Sequence, residues 1–228
     1  MHFSAFFTTF LLSGLAAALP SNDAASVQMI DLSTASRPTV KEAAVQARKL
    51  LRSETISTLS TVFPAGEKHG LEGQPVGLME YYAECSENGN PTLLGMHIAT
   101  SFRNTVPDNS TISLSVRQHA PHMFSPAAHP RLSLVGKLKT IDDSDEAARL
   151  KRCFTTRHPD AKIWTPGNKI HESYWVAFEV ESVYWIGGFG NVAYIGWIPK
   201  ELYQEVKLPC VEGEGSGWRK FLFWNQGL

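Results

Sequence analysis

The sequence predicts a mostly β domain, a barrel or sandwich that carries its helices on the outside. Three observations predict it. Residues of strand-forming type, many alternating apolar and polar, make up about seven short runs, spaced as hairpins are spaced. Helical periodicity is confined to about three segments, at the start, the middle and the end of the domain. Nowhere do strands and helices alternate as a parallel sheet requires.

The elements follow in order. Met1 to Leu19 hold no Lys, Arg, Asp or Glu, and Ala16-Ala17-Ala18 supplies the small residues of a cleavage site. Residues 1–18 therefore read as a secretory signal peptide, too short for a comfortable bilayer span, and 19–39 as a flexible leader. The folded domain is expected over 40–207. Thr39 caps a helix from Val40 to about Arg52, with Glu42 completing a capping box and Val40, Ala44, Ala47 and Leu51 forming the buried stripe. Strands are expected at Ile56–Val62, at Val76–Ala83 and, after the turn Glu87-Asn88-Gly89-Asn90-Pro91, at Thr92–Ile98. Ile112, Leu114 and Val116 alternate with Ser113 and Ser115, and Leu132, Leu134, Gly136 and Leu138 alternate with Ser133, Val135, Lys137 and Lys139, so both runs read as half-buried strands. Asp142 to Glu146 place acids at the start of a helix whose buried stripe is Ala147, Leu150 and Phe154 and which Pro159 ends. Strands return at Tyr174–Val180, Val183–Ile186 and Asn191–Ile198, and Pro199 opens a short helix to about Val206. Residues 208–228, Gly-rich and then aromatic, read as a tail on which no function is built.

The chain has 228 residues and a formal net charge of −1. It offers no basic field for nucleic acid, and no segment after the signal suits membrane insertion. Its three cysteines are Cys85, Cys153 and Cys210. Export permits a disulfide, the odd count leaves at least one thiol unpaired within the chain, and the pairing stays open.

Four constellations invite chemistry. Gly188-Phe189-Gly190-Asn191-Val192-Ala193 matches a dinucleotide fingerprint in form, but strand residues follow where a helix N-terminus must hold the pyrophosphate, so it reads as a glycine turn between strands. His119, His122 and His129 lie in a Pro-interleaved loop without a local carboxylate or cysteine, and read as surface histidines; no metal is expected. Cys153 and His158 point about 140° apart on a helix, so Cys153 reads as a buried small thiol and not as a nucleophile. Asn109-Ser110-Thr111 is a glycosylation sequon at a turn, where an exported chain carries a glycan.

Several segments resemble one superfamily when taken in order. Ile56-Ser57-Thr58-Leu59-Ser60-Thr61 is similar to the first barrel strand of pyridoxamine 5'-phosphate oxidase-like proteins. Ala99-Thr100-Ser101-Phe102-Arg103-Asn104 resembles the segment that holds the flavin phosphate in them, and Arg131 to Leu138 resembles the next strand. Arg157-His158-Pro159-Asp160-Ala161 and Gly187-Gly188-Phe189-Gly190-Asn191-Val192-Ala193 resemble motifs shared by CREG-like and haem-utilisation members. The resemblance, over roughly 42–206, implies a six- to seven-stranded split β-barrel of the FMN-binding type, usually a homodimer with pockets at the subunit interface. Trp175, Tyr184 and Trp185 are more aromatic surface than one small core face needs, so a symmetric interface is expected to bury them, unless they cover the barrel's own core or its helices. It makes Thr100, Ser101, Arg103 and Asn104 the candidate cofactor-binding residues. Asn104 stands where a lysine would complete the phosphate cluster, so the flavin site is expected to be degenerate. The signal and the sequon point to the CREG-like branch, which implies a non-catalytic glycoprotein, secreted or in the endomembrane or vacuolar-lysosomal lumen. It would act through its surface, on a cell-surface or sorting receptor. The alternative is an FMN-dependent oxidoreductase or a haem binder.

Overall fold

The computed structural model describes residues 36–105, 112–119, 125–168 and 170–209. The signal peptide, almost all of the leader, the sequon Asn109, His122, Cys210 and the tail beyond Pro209 lie outside them.

The domain is a closed barrel. Its elements are α1 (Val40–Ser53), β1 (Ile56–Val62), β2 (Pro75–Ala83), β3 (Thr92–Met96), α2 (Thr100–Arg103), β4 (Ile112–Arg117), β5 (Arg131–Ile141), α3 (Ser144–Arg157), β6 (Ser173–Ile186), β7 (Ile195–Ile198) and α4 (Lys200–Glu205). The strand order is β3-β2-β1-β4-β5-β6-β7, and a further β3–β6 pairing closes six strands into a barrel, leaving β7 added to β6. Every pairing is antiparallel. Period-two alternation produces this arrangement directly: Leu59, Leu114, Leu134 and Val183 point inward, and the residues between them point out.

The two long helices close what the barrel leaves open. In α1 the Thr39 side chain accepts from the Glu42 N–H while Glu42 reaches back to Thr39 N, the expected capping box. Its buried face holds Ala44, Ala47 and Leu51 as expected, together with Ala43, Leu50 and the wholly buried Arg48. Arg48 pairs with Glu84 at 2.5 Å and donates to the carbonyls of Tyr203, Val206 and Glu87. It thereby ties α1 to the β2–β3 connection and to α4. The second helix, α3, buries Leu150 and Phe154 over Ala83, Leu94 and Trp175, on the outer surface of β2, β3 and β6.

The structure corrects four expectations. The runs Tyr174–Val180 and Val183–Ile186 are one strand, β6. The register against β5 shifts between Val135 and Gly136, so the polar pair Glu181-Ser182 marks a bulge and not an end. β7 begins at Ile195, because Asn191 to Tyr194 complete the turn that opens at Gly187. Cys153 is no free thiol. It is bonded to Cys85, joining α3 to the segment after β2. Finally, Trp175 is buried beneath α3 and Trp185 in the barrel core, so of the three strand aromatics expected to demand a second subunit only Tyr184 is left at the surface.

Both motifs that carried the resemblance are architectural here. Arg157 donates to backbone carbonyls at the end of α1, Arg52 and Ser53 among them. His158 stacks on Tyr81 with ring centroids 4.3 Å apart and hydrogen-bonds the Tyr82 carbonyl at 2.9 Å. Asp160 accepts from the Tyr81 hydroxyl. In the glycine turn, Gly188 has φ +146° and packs so near Ala128 that a Cβ would stand 2.8 Å from its carbonyl oxygen.

Candidate functional site

Three of the candidate residues sit on α2 and the fourth, Asn104, is its C-cap; this single helical turn packs against β1 and β2. Nothing in the local pattern announces this helix. It is held by Phe102, buried in the barrel core and edge-on to Tyr174 at 6.3 Å. That anchor directs the neighbouring side chains. Ser101 is 1 % exposed and Asn104 5 % exposed, and Asn104 Nδ2 donates to Thr61 Oγ1 at 3.1 Å. Thr100 is half-buried, and Arg103 alone is exposed.

The electrostatics of this turn oppose an anion. Ser101 Oγ is buried and makes no hydrogen bond of ordinary geometry. Its neighbour is the Glu80 carboxyl, whose pKa burial raises and the Ser101 hydroxyl partly restrains. A phosphate dianion at Ser101 would meet a carboxyl in a desolvated setting, with one solvent-exposed arginine as the turn's own compensation. The residues present on α2 do not fit a flavin phosphate. Glu80 and Thr61, which decide this, are invisible to a reading of the Thr100–Asn104 segment, because they come from other strands.

A second feature lies on the outer surface of the barrel. α3 covers one part of it; another part is covered by no other element among the described residues. Register aligns Met79, Thr58, Ser115, Ser133, Tyr184 and Trp197 in one row across β2, β1, β4, β5, β6 and β7. Met79 is 60 % exposed at one end and Trp197 59 % at the other, with the Tyr184 and Trp197 rings in edge contact at 5.0 Å. The serines between them leave a shallow groove of about 500 Å³. Sequence alternation marks Ser115 and Ser133 as outward-facing, but only strand order shows that they line up between aromatic and thioether walls.

The histidine loop gathers no metal set: among the described residues no group of three His, Cys, Asp or Glu side chains could hold an ion. His119 is exposed, and His129 Nδ1 lies 3.3 Å from Gln118 Oε1. Cys153, in its disulfide, serves no thiol chemistry with His158. No helix among the described residues is long and apolar enough to cross a membrane.

The family profile described as "CREG, beta-barrel" matches residues 38–205. The chain belongs to the CREG β-barrel family. Solved structures share the fold of this CREG barrel at low identity. A heme binding protein from Mycobacterium smegmatis aligns with TM-score 0.58 and 22% identity over 74% of this chain and 61% of its own. ChuZ of Campylobacter jejuni aligns with TM-score 0.56 and 11% identity over 70% of this chain and 61% of its own. Atu2129 of Agrobacterium tumefaciens, a protein of unknown function, aligns with TM-score 0.53 and 22% identity over 65% and 57%. The CREG chain thus spans about three fifths of the length of these relatives. No curated protein matches it.

Proposed function

We propose that this CREG-family protein is an exported glycoprotein that acts by presenting its surface to a partner, and that its flavin site is degenerate. The observation that carries the reading is α2. Its phosphate-facing candidates are committed inward, Ser101 lies beside Glu80, and Arg103 stands alone in solvent. The Cys85–Cys153 bond supports an oxidising compartment, as the signal-like N-terminus and the sequon at Asn109 do. A receptor at the cell surface or on a sorting route is the partner class this reading takes. The bare sheet face is where a second copy of the chain would dock. Its central row is self-complementary: a two-fold axis that runs parallel to the strands and crosses the row between Ser115 and Ser133 sets Met79 of one copy over Trp197 of the other.

Titration of purified protein with FMN, followed by flavin fluorescence, tests the central claim. The expected result is weak or no binding, with binding gained in Asn104→Lys. Micromolar or tighter binding that Arg103→Ala abolishes would reverse the reading in favour of an FMN-dependent oxidoreductase, and a haem or flavin absorption band in protein as isolated would favour a cofactor carrier. Intact-mass analysis of secreted material tests export and the glycan. A chain beginning near Leu19, with a mass that falls on glycosidase treatment, is expected; a retained Met1 or an unchanged mass sinks this part.

A further inference from the structure

We propose that Arg117 and Arg131 form a binding site for a tetrahedral oxyanion, a phosphate or a phosphate monoester, where β4 ends and β5 begins. Arg117 ends β4, Arg131 opens β5, and the register sets them directly opposite each other. Like charges facing one another across a ladder repel, so such a pair is disfavoured unless something of opposite sign lies between or beside them. Among the described residues neither arginine forms an ion pair.

The surroundings are built for an anion from outside the chain. The two arginines line a cavity of about 480 Å³ together with His119 and His129, and among the described residues no carboxylate lines it. Arg131 is held in place: its Nη1 donates to the carbonyls of Ala127 at 3.1 Å and His129 at 3.4 Å, on and beside the 3₁₀ turn Pro126–Ala128. That leaves its remaining N–H groups for a ligand. Gln118 braces the opposite wall, its N–H donating to the Pro130 carbonyl at 3.0 Å. The Gln118 amide oxygen only accepts, so its contact with His129 places that ring's proton on Nδ1. Glu54 accepts the His119 N–H at 3.0 Å and lies outside the lining. Two guanidinium groups, one of them fixed by the backbone, offer the forked donors that tetrahedral oxyanions accept best. On α2 the corresponding position carries one arginine and an adjoining acid; here neither arginine has a counter-ion among the described residues.

Calorimetric titration of the purified full chain with inorganic phosphate, at fixed ionic strength, tests the proposal. Phosphate is expected to bind more tightly than acetate. Arg117→Gln should weaken phosphate binding by roughly tenfold or more, the usual value of a hydrogen bond to a charged group. Arg117 makes no hydrogen bond among the described residues, so this variant keeps the fold; Arg131→Gln is the second variant, checked for folding by circular dichroism. Lys139→Gln, whose partner is Glu179, should leave binding unchanged. A parallel titration with phenyl phosphate separates the two sources of the ligand chemistry: tighter binding than phosphate assigns the site to esters, equal binding to the free ion. Phosphate binding no tighter than acetate, or unaltered in Arg117→Gln, overturns the proposal. Because Arg117→Gln leaves α2 untouched, loss of phosphate binding in this variant distinguishes the site from a phosphate held at α2.

Discussion

At the scale of single residues, the least expected side chain is Arg48. It lies at helical spacing from Ala44 and Leu51, on the stripe read as apolar, and a sequence pattern has no way to tell a buried arginine from an exposed one. What identifies it is the ring of acceptors around it, contributed by Glu84, Glu87, Tyr203 and Val206. Removing one member of a buried charge network leaves the others unsatisfied, so Arg48→Ala should cost about 3–5 kcal/mol in urea unfolding, towards the lower end because Arg52 still neutralises Glu84. Gly89 is legible as a turn glycine, but the reason it must stay one is not. With φ +77°, a Cβ there would approach Arg48 Nε to 2.7 Å. His158 sets a pH dependence. Burial lowers its pKa below the ordinary 6.5, so the unfolded chain takes up the proton more readily than the fold. Stability should therefore fall as pH drops through 6.5 and below, and His158→Phe should flatten that slope in thermal melts between pH 5 and 7. The buried carboxyls Glu54 and Glu80 have raised pKa values and act in the opposite sense, recovering stability as they protonate at lower pH.

At the scale of elements, the sequence is readable wherever local chemistry decides. The capping box places the start of α1, the acid cluster and Asp143 place α3, and alternation places β1, β4 and β5. It fails where tertiary contacts decide. α2 exists because Phe102 is pulled into the core, and β6 runs through its polar bulge because β3, β5 and β7 all pair with it. The disulfide belongs here too. Spacing leaves three pairings open, and only the packing of α3 over the end of β2 selects Cys85 with Cys153. This bond encloses a sequence separation of 68 residues, and losing it should destabilise the domain by about 2–4 kcal/mol, seen as a lower melting temperature in Cys153→Ser or under dithiothreitol. An unchanged melting temperature would mean that α3 is held by Phe154 and Leu150 alone.

At the scale of the whole molecule, the barrel class and its resemblance to the CREG family were legible from the order of weak motifs, although those motifs turn out to build corners and clamps. The candidate site was half legible: the segment Thr100–Asn104 can be named from the sequence, but the neighbours that set its charge come from strands remote in sequence. The argument for a dimer survives on different residues from those the sequence suggests, Met79, Tyr184 and Trp197 instead of Trp175 and Trp185. Light scattering should give twice the chain mass at micromolar concentration, and Trp197→Glu, which alters only an exposed ring, should return it to the monomer. A monomer mass for the unaltered protein would remove the second copy from the proposal.

The closure of the barrel also fixes an order of events during synthesis. β6 supplies the partner for β3 on one side and for β5 on the other, so no earlier residue can seal the sheet. Until Ile186 has left the ribosome, the nascent chain holds an open ribbon whose two outer strands offer unpaired amides and carbonyls. A message cut short before Ser173 would leave that ribbon permanently exposed and prone to join its own copies. The stretch from Ser173 to Ile186 is thus where a premature stop decides whether the sheet can close, and where a chaperone has most to shield.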